Sequence, residues 1–228
     1  MALCAVAVMA QERTFGGYTL PKECNQAFVV SPDKEGYIAE LVSYDGASEQ
    51  REFFARCTIG YGGTVEPTAK REGDGKSPEG VWALRRGLCY TKDFESAFPV
   101  EQYDENYMWV EEPESADYNT LVRDPMPDAK GDRLWARRNT QFRYIVVVEY
   151  NTDPIVKGAG SAIFIHAWRS EGKPTAGCVA MAEEDVRRLI ERLDPKLNPH
   201  IVILGKRARV DVDIWVELLD CHSITTCL

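Results

Sequence analysis

Apolar residues along the chain fall into short runs separated by polar stretches rich in Gly and Pro, a pattern of strands and turns. Residues 27–30 and 37–44 flank the polar stretch 31–36 and predict a hairpin. Asp45-Gly46 turns the chain again before the aromatic and β-branched run 52–59. Together these segments predict an antiparallel meander. Residues 81–84 and 108–110 are shorter strand candidates on either side of an aromatic-bearing excursion, 85–106, and 113–127 reads as irregular. The run 143–149, RYIVVVE, carries consecutive β-branched residues and predicts a buried strand. In 162–166 the alternation sends Ile163 and Ile165 to one face and Phe164 and His166 to the other.

A helical period appears only near the end of this pattern. Val186, Leu189, Ile190 and Leu193 form one apolar stripe over 183–193. Acidic residues fill the first turn of that segment and arginines follow, which suits the helix dipole. Asp194-Pro195 stops it, and 201–204 returns to the sheet. Val210, Val212, Ile214 and Val216 alternate as an edge strand would. The fold class expected is therefore mainly β, a sandwich or meander with one helix.

Composition narrows the picture without changing it. The 228 residues are 44% hydrophobic and 28% charged, enough for a packed core and unlike a disordered chain. A net charge of −9 argues against a nucleic-acid partner, which needs a basic face. Residues 1–10 are uncharged and apolar and end in Val8-x-Ala10, a pattern that reads as a signal-peptide remnant, too short to span a membrane. The expected division is this remnant, a catalytic domain over 27–204, and a C-terminal extension over 205–228. None of the seven cysteines is spaced C-x-x-C, so no metal site is expected, and Cys221 and Cys227 are close enough for a local bridge.

Candidate chemistry concentrates in 160–181, GSAIFIHAWRSEGKPTAGCVAM. A strand delivers His166, a polar connection follows, and Thr175-Ala176-Gly177-Cys178 leads into the next segment. A thiol and an imidazole separated by a loop of this length can meet if the loop folds back, which is the nucleophile and base logic of a cysteine acyltransferase or protease. Gly177 removes a Cβ beside the thiol, so backbone N–H groups of Gly177 and Cys178 can approach an oxyanion. The alternative for Cys178 is an inert, buried small hydrophobe.

The stretch resembles the L,D-transpeptidase (YkuD-type) catalytic domain, whose signature is a histidine followed, after a loop, by Ser/Thr-x-Gly-Cys. His166, Thr175, Gly177 and Cys178 match it. Further likeness lies in the segment 70–80, KREGDGKSPEG, in Tyr118-Asn119, in Tyr150-Asn151-x-Asp153-Pro154, and in 160–164. The resemblance implies that Cys178 attacks a peptidoglycan stem peptide and that His166 is the base. It implies that the Ala167 carbonyl orients the imidazole and that Asp74 or Arg71 braces the loop 70–80. Trp168 and Arg169 flank the base, and with Thr175 and Asn119 they are the candidate substrate-side residues, the alternatives being a solvated loop arginine for Arg169 and a turn cap for Asn119. No cofactor is implied. The partners are donor and acceptor stem peptides, and the place is the periplasm or cell envelope. A histidine-paired cysteine is expected to have a lowered pKa and to be the most reactive thiol. Two departures stand out: the histidine-to-cysteine gap is short, and Ala180 occupies a position where relatives often carry Arg or Asn. Carboxypeptidase or endopeptidase activity on the same scaffold, or a non-catalytic wall-binding module, are the alternatives.

Overall fold

The computed structural model describes residues 12–92 and 94–206. The apolar residues 1–10, the alternating run 210–216, Cys4, Cys221, Cys227 and His222 lie outside the described residues.

The expected meander is present as β1 (Gln26–Asp33), β2 (Gly36–Asp45) and β3 (Ser48–Thr58). It is followed by β4 (Gly80–Cys89), β5 (Tyr144–Val148), β6 (Phe164–Ala167), β7 (Val179–Met181), α1 (Glu183–Arg192) and β8 (His200–Ile203). Neighbouring strands run in the order β5-β6-β7-β3-β2-β1-β8-β4, and β4 pairs back onto β5. The sheet thus closes into a barrel, with the short strand Val100–Gln102 added outside the ring on β4. Three contacts are parallel, β6 with β7, β8 with β1, and Val100–Gln102 with β4. Each needs a crossover. The β6–β7 crossover is the polar connection that ends in Cys178, and its tight return brings thiol and histidine to adjacent strands.

The barrel interior is filled from all sides, with Phe28, Leu41, Phe53, Val146, Ile165 and Ile201 among its buried residues. Val186, Leu189 and Ile190 of α1 enter this core, as the apolar stripe requires. Gln26, almost fully buried, fixes the helix end: its Nε2 donates to Arg192 O at 2.9 Å and its Oε1 accepts from Asp194 N at 2.9 Å.

A second apolar layer covers the outer face of β4, β5 and β6. Tyr103, Trp109, Leu134 and Phe142 pack there on Leu88, Ile145, Val147 and Phe164. The excursion between β4 and β5 is therefore a lid of packed aromatics with its own small sheet, Tyr107–Val110 between Leu121–Arg123 and Gly131–Asp132. The stretch read as irregular from sequence contributes one of these strands, and β4 continues to Cys89 where a loop was expected. Side-chain alternation in three-residue strands is too brief to register as a period.

The loop 60–80 is braced by Asp74. Its carboxylate accepts from Lys70 Nζ at 2.8 Å, Arg71 N at 2.9 Å and Lys76 N at 2.9 Å. Burial alone would raise the Asp74 pKa, yet these hydrogen bonds hold it below the usual carboxylate value. Lys70 is only 2% exposed, so removing its counter-charge strands a buried cation. Asp74→Ala is expected to destabilise the protein by about 3 kcal/mol, measured by urea denaturation.

Candidate active site

The alternation read from sequence holds in β6: Ile163 and Ile165 belong to the barrel interior, while Phe164 packs in the outer layer. His166 shares the Phe164 face, with the Phe142 ring edge-on to its imidazole at 5.2 Å. The parallel register aligns Ile165 with Val179 and His166 with Ala180. Cys178, one residue before β7, therefore lies abreast of Phe164, one strand across from His166 and on the same outer face. Ala180 is fully buried beside the histidine.

The turn before the thiol is built by two side chains and a glycine. Thr175 Oγ1 accepts from Gly177 N at 3.0 Å and donates to Cys178 O at 2.6 Å. Ser77 Oγ donates to Gly177 O at 2.6 Å and accepts from Gly60 N at 3.0 Å, so the braced loop holds the turn from behind. Gly177 has φ +148°, and a Cβ there would stand 3.0 Å from Lys76 O and 3.3 Å from Ile163 Cδ1. Gly177→Ala is expected to cost about 1–3 kcal/mol in stability, read by thermal melting, and to displace the thiol.

The Cys178 thiol is turned inward. Sγ donates to Ala162 O at 3.2 Å and accepts from Phe164 N at 3.4 Å. Ala162 has φ +52°, an uncommon conformation for a residue with a Cβ. It is held there by Asn119, whose Oδ1 accepts from Ala162 N at 3.0 Å and from Trp109 Nε1 at 3.0 Å. The Asn119 amide donates to Tyr150 O and Asn151 O. This is a correction to the sequence reading. Asn119 is buried with both side-chain atoms committed, so it positions the thiol's acceptor and does not face a groove.

His166 Nδ1 lies 2.7 Å from Ala167 O, the contact implied by the family likeness. With the proton on Nδ1 donated to that carbonyl, Nε2 carries the free lone pair. Burial pushes the His166 pKa down to about 4, against the opposing pull of the Ala167 carbonyl, and Arg137 lowers it further. Burial likewise pushes the Cys178 thiol up to about 12, Phe164 N–H opposes this, and Asp132 and Glu111 add to the rise. The expectation of a lowered thiol pKa is therefore reversed: at neutral pH the pair rests as thiol and neutral imidazole. No hydrogen bond joins the two side chains, so the thiol must rotate from Ala162 before His166 can take its proton. Cys24, Cys57 and Cys89 are buried, whereas Cys178 is half-buried.

A pocket of about 260 Å³ brings together four residues singled out from sequence, His166, Trp168, Arg169 and Thr175. Cys178 is not among its lining residues. The pocket adds Tyr61, Arg137, Gln141 and Lys173, which sequence reasoning missed. Arg137 comes from the lid, forms an ion pair with Asp132 and stacks over Phe142 at 4.7 Å. Its place in an aromatic, basic run carried no spacing signal. The oxyanion expectation also narrows. Gly177 N–H is already given to Thr175 Oγ1, whereas no protein acceptor takes the Cys178 N–H among the described residues. No cluster of three or more metal-ligating side chains is found among the described residues. No described helix is long and apolar enough to cross a membrane.

A profile of the L,D-transpeptidase catalytic domain, YkuD, matches residues 28–203. No curated protein matches the chain. Among solved structures, the helical cell shape determining protein Pgp2 of Campylobacter jejuni is similar at 16% identity and a TM-score of 0.42, covering 86% of this chain and 57% of its own. Bd1075 of Bdellovibrio bacteriovorus is similar at 16% identity and a TM-score of 0.42, covering 85% of this chain and 56% of its own. The chain thus spans little more than half the length of either. With most of its barrel and the whole of the His166 to Cys178 segment inside the matched region, this chain belongs to the L,D-transpeptidase catalytic domain family, YkuD.

Proposed function

We propose that this protein is a peptidoglycan L,D-transpeptidase that works through an acyl thioester on Cys178. Cys178 Sγ attacks the carbonyl of the bond between the stem's third residue and its terminal D-Ala, as the thiol proton passes to His166 Nε2. The carbon–sulfur bond forms, the carbon–nitrogen bond breaks, and the proton leaves with the amine of D-Ala. An acceptor amine then attacks the thioester, giving its proton to His166, which returns it to the departing sulfur. Cys178 N–H is the donor aimed at the oxyanion, a contact worth about 3 kcal/mol in other acyl-transfer enzymes. Arg169, with Arg137 and Lys173 in the same pocket, supplies positive charge for the donor's terminal carboxylate. Trp168 forms an apolar wall, and Thr175 holds the nucleophile's turn.

The observation that carries this reading is the shared face of His166 and Cys178, with His166 Nδ1 tied to Ala167 O so that Nε2 is left to receive a proton. The neutral resting pair fits a base that acts only once a donor is bound. Residues 27–204 are the catalytic domain in this reading, residues 1–10 the remnant of an export signal, and residues 205–228 an extension of unassigned role. The protein works in the cell envelope, on peptides exposed outside the cytoplasmic membrane. Incubation with purified sacculi, followed by mass identification of the muropeptides, is expected to yield 3→3 cross-linked dimers. Trimmed tripeptides without dimers at any acceptor concentration would replace this reading with an L,D-carboxypeptidase, and no change in any muropeptide would leave a wall-binding module.

A further inference from the structure

Glu72 lies in the loop 60–80 and has no part in the proposed reaction. Its half-buried carboxylate is satisfied by neutral donors: Oε2 accepts from Ser161 Oγ at 2.7 Å and from the Tyr118 hydroxyl, and Oε1 accepts from Gly73 N at 3.2 Å. Hydrogen bonds to a carboxylate are shorter and stronger than those between neutral groups. The two hydroxyls come from different segments, Tyr118 from the lid and Ser161 from the lead into β6. Tyr118 OH also accepts from Gly160 N at 3.0 Å, and Glu72 N donates to Gly158 O at 2.9 Å. One residue therefore staples the lid to the backbone of 158–161.

The residues that follow these two hydroxyls are the ones that hold the thiol. Asn119 comes directly after Tyr118, and Ala162 directly after Ser161. Ala162 N donates to Asn119 Oδ1, and Ala162 O accepts from Cys178 Sγ. The backbone supplies a second observation. Asn119 has φ +58° and Ala162 has φ +52°. Of the five non-glycine residues with positive φ among the described residues, Ala162 alone has no polar side chain to satisfy the backbone locally. Left-handed backbone at such a residue persists only where its surroundings over-determine it. Asn119 fixes Ala162 itself, and Glu72 fixes the residue before it.

We propose that Glu72 is a positioning residue for the nucleophile: by joining Tyr118 to Ser161 it keeps the Ala162 carbonyl on the Cys178 thiol and parks that thiol away from His166. The proposal rests on the transferase reading for the role of Cys178 and adds a latch to its resting state. A thiol that donates to a carbonyl is stabilised in its protonated form, which is the unreactive one. Releasing the latch frees the thiol to turn toward His166 and raises its reactivity in the absence of any donor. A mere brace for the loop 60–80 would affect stability and leave the Sγ hydrogen bond as it is.

The test uses the full-length protein without donor and reads two signals of Cys178. The first is its S–H stretching band, isolated as the infrared difference between each protein and the same protein carrying Cys178→Ala. The second is the rate of iodoacetamide labelling at Cys178, read by peptide mapping. Glu72→Ala is expected to move the band to higher frequency, as for a weaker hydrogen bond, and to speed labelling about 5-fold. Glu72→Gln is expected to restore the band and to label within about 2-fold of wild type, because its one amide oxygen can accept from both hydroxyls. Ser161→Ala, a smaller change that leaves the Tyr118 bond in place, is expected to shift both signals in the same direction as Glu72→Ala. An unshifted band and unchanged labelling in whichever of Glu72→Ala and Ser161→Ala folds would overturn the proposal, as would a folded Glu72→Gln protein that behaves like Glu72→Ala. No acyl chemistry is involved. A wild-type protein that never forms an acyl adduct would sink the transferase reading without altering this result, and failure here would leave the adduct intact.

Discussion

Cys178→Ala is expected to lower release of D-Ala from a tetrapeptide donor by about 10⁴–10⁶-fold, the scale seen when a covalent nucleophile is removed. The other described cysteines cannot substitute. Cys24, Cys57 and Cys89 are buried, and burial holds the thiols of Cys24 and Cys57 above their ordinary pKa. The fold should survive, because the change deletes one atom and leaves only Phe164 N and Ala162 O without their sulfur partner, a cost of about 1 kcal/mol. A folded Cys178→Ala protein that releases D-Ala at the wild-type rate would show that the attacking atom lies elsewhere.

The second large effect belongs to His166. His166→Ala is expected to slow thioester formation by about 10²–10⁴-fold, the usual contribution of a general base. Its pH dependence separates a base from a merely packed imidazole. The folded pKa of about 4 lies below the ordinary histidine value, so His166 stays neutral and able to accept a proton through mildly acidic pH. The acid limb of kcat/KM for the free enzyme should therefore fall near pH 4 to 5, well below an unperturbed histidine limb near 6.5. The same shift links to stability. Between about pH 6.5 and 4 the unfolded chain binds a proton at His166 that the folded chain refuses, so this contribution is complete above pH 6.5 and is lost as pH falls toward 4. Its size is about 3 kcal/mol. Comparing wild type with His166→Gln by urea denaturation at pH 7 and pH 4.5 isolates it, and the variant should lack that part of the acid loss.

Much of the scaffold was legible in the sequence because its strands are long enough to show a period. The meander, the β5 run and the α1 stripe all appear where the residue pattern puts them. The two faces of β6 followed from alternation alone, and that alternation is what sets His166 against Phe142 and beside the Cys178 strand. Closure of the barrel was not legible, since β4 pairing with β5 joins segments more than fifty residues apart and depends on the lid between them. Site details failed for a different reason. Asn119 reads as a polar loop residue, and only the folded chain shows its amide locked between Ala162, Trp109 and the 150–151 backbone. The thiol pKa moved against expectation because desolvation, which spacing does not reveal, outweighs proximity to a neutral histidine. Arg137 entered the pocket from the lid, far from the motif that holds His166 and Cys178.

These failures share a cause that also shapes the chemistry. The lid that buries the outer face of β6 is what removes charge from both His166 and Cys178 at rest. A neutral pair whose thiol is turned inward is expected to react slowly with simple alkylating reagents and, in the proposed reaction, to lose its proton only once a carbonyl is in place. In the proposed reaction, the basic lining of the His166 pocket would draw a carboxylate-bearing donor toward this neutral pair.

The central claim is that the reaction passes through a covalent acyl group on Cys178, and intact-mass spectrometry tests it most directly. Wild-type protein mixed briefly with a tetrapeptide donor and quenched in acid should gain the mass of the donor minus D-Ala, and peptide mapping should place that mass on Cys178. His166→Ala should reach the same adduct more slowly, and an added primary amine should discharge it. Product release at the normal rate with no adduct at any quench time, or an adduct carried by another residue, would contradict the account.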